Sequence, residues 1–205
     1  VLDVSGHGVP SSLLSVILSR LMTGIPDPSS VLRKLQDGSG SCEISIATPA
    51  EVAQELSRRF PYNRETFQYF TMVYAILDME QRLFTYVSAG HTPVVHLRRG
   101  SDPVLHTSTG SPIALVPIEL APSEFEESTV TLEAGDRLYL LSDGIPEAHV
   151  PGGEEYGEER ISNILQGCFD MDLDASISRL LDDVWEWMGG TGPDDDVSIL
   201  AIEIG

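Results

Sequence analysis

Gly135-Asp136-Arg137-Leu138-Tyr139-Leu140-Leu141-Ser142-Asp143-Gly144 reads as a turn, an apolar strand and a second turn in direct succession. Ala134-Gly135 is a two-residue turn signal, so the stretch Asp136 to Leu141 is expected to return from a strand over Glu127 to Leu132. Working backwards, Val104 to His106 and Val94 to Leu97 are further strand candidates. Before the break at Ala89-Gly90-His91, Phe67 to Leu77 and Arg82 to Val87 are rich in aromatic and β-branched residues and flank the turn formers Asp78 to Gln81, which predicts a β-hairpin.

Working forwards, Pro146-Glu147-Ala148 begins a short helical turn or a loop. Helices are expected at Glu158 to Leu165 and Leu173 to Trp187, the second with Ile177, Leu180, Leu181, Val184 and Trp185 on one face. Trp185 and Trp187 cannot share a face, so one belongs to the core and the other to the rim or an interface. Val197 to Ile204 closes the chain as a strand. At the other end, Leu13, Leu14, Ile17, Leu18 and Leu21 mark a helix over Pro10 to Thr23, and shorter helical patterns follow at Pro28 to Gln36 and Pro49 to Arg59, joined by a loop at Asp37 to Ser41. Helices, a run of antiparallel strands, helices and a last strand argue an α+β layered domain and not a parallel βαβ fold.

The 205 residues carry 12 Lys plus Arg against 32 Asp plus Glu, a net charge of −20. That charge repels a polyphosphate backbone and an anionic bilayer surface, so nucleic acid and membrane partners are excluded as functions. No apolar run approaches the roughly 18 residues of a membrane span. Cys42 and Cys168 stand alone, without the spacing of a disulfide framework, and read as reduced thiols of a soluble cytoplasmic protein.

Chemistry concentrates in three acidic sites: Asp3 in Leu2-Asp3-Val4-Ser5-Gly6-His7-Gly8, Asp143 in Ser142-Asp143-Gly144, and Asp195 in Asp194-Asp195-Asp196-Val197. Each lies at a strand end beside Gly or Pro. If those strands are neighbours, the carboxylates converge at one edge of the sheet, where their repulsion is tolerated best around a cation. Oxygen donors without Cys or paired His favour Mg²⁺ or Mn²⁺ over Zn²⁺. The plain alternative is turn chemistry, since Asp beside Gly is common in turns. Asp170, Asp172 and Asp174 imitate the start of a calcium loop, but Ala175 and Leu181 occupy its Gly and Glu positions, so this is a helix start.

Five motifs then line up in order. Leu2-Asp3-Val4-Ser5-Gly6-His7-Gly8, Phe70-Thr71-Met72-Val73-Tyr74, Ala89-Gly90-His91-Thr92-Pro93, Gly135 to Ala148, and Asp195-Asp196-Val197-Ser198 resemble successive motifs of the SpoIIE/RsbU branch of metal-dependent protein serine/threonine phosphatases, the PPM or type 2C class. The resemblance implies two packed antiparallel sheets flanked by helices, an α/β/β/α sandwich, forming one phosphatase-like domain over 1–205. It implies a site for two Mn²⁺ or Mg²⁺ ions, with carboxylates from Asp3, Asp143 and Asp195 and a backbone carbonyl from Val4. Catalysis through water held by those metals would use Asp3, Asp143 and Asp195 and no protein nucleophile. His7 is either an acid to the leaving serine oxygen or, as favoured, a backbone cap; His91 is either an accessory ligand or, as favoured, a turn histidine holding a strand end.

The same resemblance places a Gly-Gly-Asp strand upstream of Asp3, and the opening at Val1 without an initiator Met is read as a fragment cut from the C-terminal part of a longer regulator. Without that Asp the fragment is expected to hold at most one ion firmly, and itself to be inactive or nearly so. The implied partners are a phosphorylated regulatory protein of the STAS-type anti-sigma factor antagonist class and a sensor or receiver domain in the same chain, with a homodimer left open. The competing reading is a phosphatase-like module that binds such a partner without turnover. The stripe of the first helix, widened by Val16 and Met22, exceeds one sheet contact, which predicts a second helix, an input domain or another protomer over it.

Overall fold

Most strands of this chain are apolar on both faces, and the architecture explains why. The computed structural model describes residues 1–6, 8–24, 29–38, 41–107, 110–117, 120, 125–150, 153–190, 192 and 195–205. In chain order the elements are β1 (Leu2–Val4), α1 (Val9–Leu21), β2 (Arg33–Gly38), β3 (Ser41–Ile46), α2 (Pro49–Arg59), β4 (Phe70–Asp78), β5 (Leu83–Ala89), β6 (Val94–Leu97), β7 (Val104–His106), β8 (Ser128–Thr131), β9 (Arg137–Leu141), α3 (Glu158–Gly167), α4 (Leu173–Trp187) and β10 (Ile199–Glu203). Two four-stranded antiparallel sheets, ordered β1-β4-β5-β8 and β10-β9-β6-β7, lie face to face.

Side chains alternate across each strand, so every other residue meets a different layer. On the first sheet Phe70, Met72, Val87 and Ala89 pack with Leu18 of α1 and with Val52, Ala53 and Leu56 of α2. Val73, Phe84 and Tyr86 point the other way, against Val94, Leu138 and Leu140 of the second sheet. The outer face of that sheet, through Val95, Leu97, Tyr139 and Leu141, is covered by Ile161 and Leu165 of α3 and Leu180 and Val184 of α4. The order is therefore α/β/β/α, the expected sandwich. Each fully buried Leu or Phe in it contributes roughly 1.5 to 3 kcal/mol of transfer free energy.

Local chemistry sets the helices. Thr48 caps α2 in a capping box with Glu51, and Pro49 occupies the first turn. Asp172 accepts from the Ala175 N–H and caps α4, so the Asp170 to Asp174 run is a helix start as read from the sequence. Trp187 packs against the α3/α4 core with the Arg160 guanidinium 3.9 Å over its ring, while Trp185 is 53% exposed. The α4 stripe is narrower than expected, because Leu181 joins Trp185 on the solvent side. On α1, Leu18 is buried whereas Leu13, Val16 and Ile17 are 59%, 67% and 49% exposed, so the surplus apolar stripe faces outward.

Two expectations fail. The helical pattern over Pro28 to Gln36 gives way to a hairpin in which β2 pairs with β3 from Arg33↔Ile46 to Gly38↔Ser41, and the pairing reaches into the expected loop at both ends; Pro28 and residues 39–40 lie outside the described residues. The strict alternation of Ser41-Cys42-Glu43-Ile44-Ser45-Ile46 is the deciding signal, since a nine-residue helix is marginal without partners. The turn at Ala134-Gly135 does not close a hairpin either. β8 pairs with β5 and β9 with β6 and β10, so the turn carries the chain from one sheet to the other. Asp136, 1% exposed, holds this switch. It accepts from the Glu133 N–H at 2.8 Å and from Arg98 Nη2 at 2.7 Å, and lies 3.0 Å from His96 Nε2.

Candidate metal centre

At the opposite end of the sandwich from that switch, the three sequence-predicted aspartates come together, but not along one sheet edge. Asp3 stands on β1, the edge strand of the first sheet, in register with Thr71 of β4. Asp143 follows β9 and Asp195 precedes β10, neighbouring strands of the second sheet. The carboxylates therefore face one another across the gap between the sheets. Asp3, Val4, Asp143 and Asp195 line a cavity of about 530 Å³ together with Glu147 and His91. Asp3, Val4 and Asp195 also border an adjoining cavity of about 540 Å³ that opens toward α1.

The backbone at each aspartate is tied down. After Asp3, Ser5 N–H donates to the Tyr69 carbonyl and its hydroxyl accepts from Tyr69 N–H, both at 3.0 Å. Ser11 of α1 donates to the Ser5 carbonyl at 3.0 Å, which fixes the helix to the turn that carries Asp3. On the other sheet Ser142 is a staple: its hydroxyl donates to the Asp196 carbonyl and accepts from the Ser198 N–H, each at 2.9 Å. This bond pair locks the Asp143 turn to the Asp195 turn. The Glu147 N–H donates to the Asp143 carbonyl at 2.9 Å, so the turn folds Glu147 back beside the cavity.

Electrostatics mark the cavity as a place short of positive charge. Burial, then Asp143 and Asp195, push the Asp3 carboxyl up to about 6. Burial and Asp195 raise Asp143. Burial, Asp143, Glu155 and Asp195 raise Glu147. Burial holds His91 down to about 4, so its imidazole is neutral; it is 5% exposed, with Nδ1 2.8 Å from Thr71 Oγ1. That contact fits the turn histidine that holds a strand end.

Hard carboxylate oxygens in mutual repulsion fit a divalent cation. Among the described residues no three Asp, Glu, His or Cys side chains close on one point as a preformed cage. Mg²⁺ does not require one, because it keeps several waters and takes only one or two carboxylates. The donor set therefore suits a hydrated Mg²⁺ or Mn²⁺ held by Asp3, Asp143 and Asp195, with the Val4 backbone on the cavity wall. A larger cleft of about 700 Å³ beside Leu14, Arg59 and Arg64 has Glu65 as its one carboxylate and lacks this convergence.

His7 lies outside the described residues, as does Asp194. Glu147, Ser142, Thr71 and Thr92 were not assigned from the sequence. For Glu147 a signal existed, since four residues after Asp143 in Asp-Gly-Ile-Pro-Glu is one turn. For Ser142 none did, because its partners become neighbours only through the β9/β10 register.

Comparison with known proteins agrees with this fold. Phosphoserine phosphatase RsbU of Bacillus subtilis is 24% identical over 153 residues, covering 75% of this chain and 40% of that protein. Phosphoserine phosphatase RsbP of the same organism is 29% identical over 150 residues, covering 71% of this chain and 32% of that protein. The chain thus spans less than half the length of either relative. The SiaA-PP2C domain of Pseudomonas aeruginosa superposes with a TM-score of 0.70 at 17% identity, covering 100% of this chain and 74% of that one, a likeness of fold. The family model described as Stage II sporulation protein E (SpoIIE) matches residues 1–205, and the chain belongs to that family.

Proposed function

We propose that this domain is a Mn²⁺- or Mg²⁺-dependent phosphatase that hydrolyses phosphoserine or phosphothreonine on a regulatory protein, of the STAS-type anti-sigma factor antagonist class. The observation that carries the reading is the meeting of Asp3, Asp143 and Asp195 across two sheets, where burial and the other two carboxylates push Asp3 up to about 6. Bound there, divalent cations supply an activated water and neutralise the charge of the substrate phosphate. The chain's own residues do the rest. Asp3 and Asp143 present carboxylates from opposite walls, so the oxygens that would hold a cation come from both sheets and leave the mouth of the cavity to the phosphate. The Ser142 staple and the Ser5–Tyr69 bonds hold those carboxylates before substrate arrives, which removes reorganisation from the reaction. Without cations the same carboxylates repel a phosphate dianion, so turnover depends on metal. Relatives named as phosphoserine phosphatases support the reaction class.

The test is phosphate release from a phosphoserine-bearing STAS-domain protein, in Mn²⁺ and in chelator, by the full-length protein and by its Asp143→Asn variant. The reading expects release in Mn²⁺ alone, and its loss in the variant with the fold retained. A wild type that binds the phosphoprotein but releases no phosphate would favour the non-catalytic binding module.

A further inference from the structure

Asp3 and Asp143 belong to different sheets, so their separation depends on how the sheets are held at this end. The facing layers there are apolar, Val73 and Val94 among them, and apolar packing is not directional. A directional link is supplied by the segment that leaves β5. Gly90 turns the chain with φ 65°, and a Cβ at that position would lie 2.3 Å from Cγ of Pro112, so the turn admits only glycine. From this turn successive side chains reach to opposite sheets. His91 Nδ1 lies 2.8 Å from the hydroxyl of Thr71, the residue directly opposite Asp3. The Thr92 hydroxyl donates to the carbonyl of Leu141, the last residue of β9, two positions before Asp143.

We propose that Thr71, His91 and Thr92 form a brace that sets the distance between Asp3 and Asp143 and thereby the affinity of the site for a divalent cation. The inference rests on the reading of this cavity as a cation site. The three are positioning residues: they act through the two strands that carry the ligands. Metal–ligand distances tolerate about 0.2 Å, whereas a sheet pair held by apolar packing alone has no directional restraint of that kind. His91, 5% exposed and braced against Thr71, has the burial such a strut requires.

The test is calorimetric titration of the chain with Mn²⁺, beside thermal unfolding in chelator. Thr92→Val and Thr71→Val remove one hydroxyl each at nearly constant shape. Thr92→Ser keeps the hydroxyl. Thr85→Val removes a hydroxyl that bonds Thr129 on the first sheet, outside the cavity, and serves as the control. The brace predicts Mn²⁺ binding weakened about tenfold or more in the two brace variants, and changed by less than about twofold in Thr92→Ser and Thr85→Val. Thermal midpoints in chelator show that each variant is folded where its Mn²⁺ affinity is measured, which separates positioning from loss of the fold. His91→Asn, whose amide can take the place of Nδ1 against Thr71, should bind Mn²⁺ better than His91→Phe. Should Thr92→Val fail to fold, Thr71→Val and the His91 pair decide. Wild-type affinity in any folded brace variant overturns the brace and leaves the cation site standing. A wild type that binds no Mn²⁺ overturns the reading of the cavity and the brace with it.

Discussion

Gly144 lies against the backbone of Asp196 so closely that a Cβ built on it would come within 2.6 Å of the Asp196 carbonyl oxygen. The glycine after Asp143 is thus required by a neighbouring turn and not by its own dihedrals. Gly144→Ala must push the Asp143 and Asp195 turns apart or strain both, at a cost of about 1 to 3 kcal/mol. The expected outcome is a lowered thermal midpoint together with Mn²⁺ binding weakened about tenfold, and calorimetry on the folded variant measures it.

Asp3 predicts a pH dependence in the metal-free chain. Its carboxyl is pushed up to about 6 by burial, Asp143 and Asp195, so the folded state binds the proton more tightly than the unfolded chain, where an aspartate titrates near 4. Stability from this group is therefore full below about pH 4 and is lost as pH rises through about 6. Asp3→Asn in chelator should raise stability at pH 7.5 by about 1 kcal/mol after solvent screening, and by much less at pH 4. Added Mn²⁺ should reverse the order, stabilising only the wild type. Melting curves at the two pH values, with and without Mn²⁺, check both statements.

Asp136 behaves with the opposite sign. Burial alone would raise its carboxyl, but Arg98, the Glu133 N–H and His96 outweigh it and hold the group below the usual aspartate value. Its contribution is present above about pH 4 and disappears as pH falls through the lowered value. Asp136→Asn should cost about 2 to 4 kcal/mol at neutral pH by removing the buried carboxylate that Arg98, His96 and the Glu133 N–H surround. Denaturant unfolding should show that gap closing toward pH 3.

The first helix separates a core face from a solvent face. Val16 is 67% exposed and Leu18 1%. Val16→Asp is expected to leave stability within about 0.5 kcal/mol of the wild type, whereas Leu18→Asp should unfold the chain. Far-UV circular dichroism during urea titration distinguishes the two.

Much of the sandwich was legible because its information is local. The capped Pro49 to Arg59 helix and the strands Val94 to Leu97 and Val104 to His106 appear with the bounds expected from propensity and turn residues. The β2/β3 hairpin was hidden, since Pro28 to Gln36 carries a weak helical spacing and its strand identity comes from the partner at Ser41 to Ile46. The sheet switch at Ala134-Gly135 was hidden for a related reason. A turn signal states that the chain reverses, not which strand it then pairs with. The aspartates were visible as strand-end Asp-Gly and Asp-Val elements, but whether they meet along one sheet or across two depends on topology. The contacts of Thr71, His91 and Thr92 join residues 20 and 49 positions apart in the chain, and spacing does not reveal them.

The central claim is that Asp3 from one sheet and Asp143 and Asp195 from the other hold a divalent cation between them. Anomalous diffraction from crystals soaked in Mn²⁺ tests it most directly. The account predicts an anomalous peak in the gap between the sheets, about 2 Å from carboxylate oxygens of Asp3 and of at least one of Asp143 and Asp195. Peaks confined to other surface carboxylates, or a cavity with no peak at saturating Mn²⁺, would contradict it.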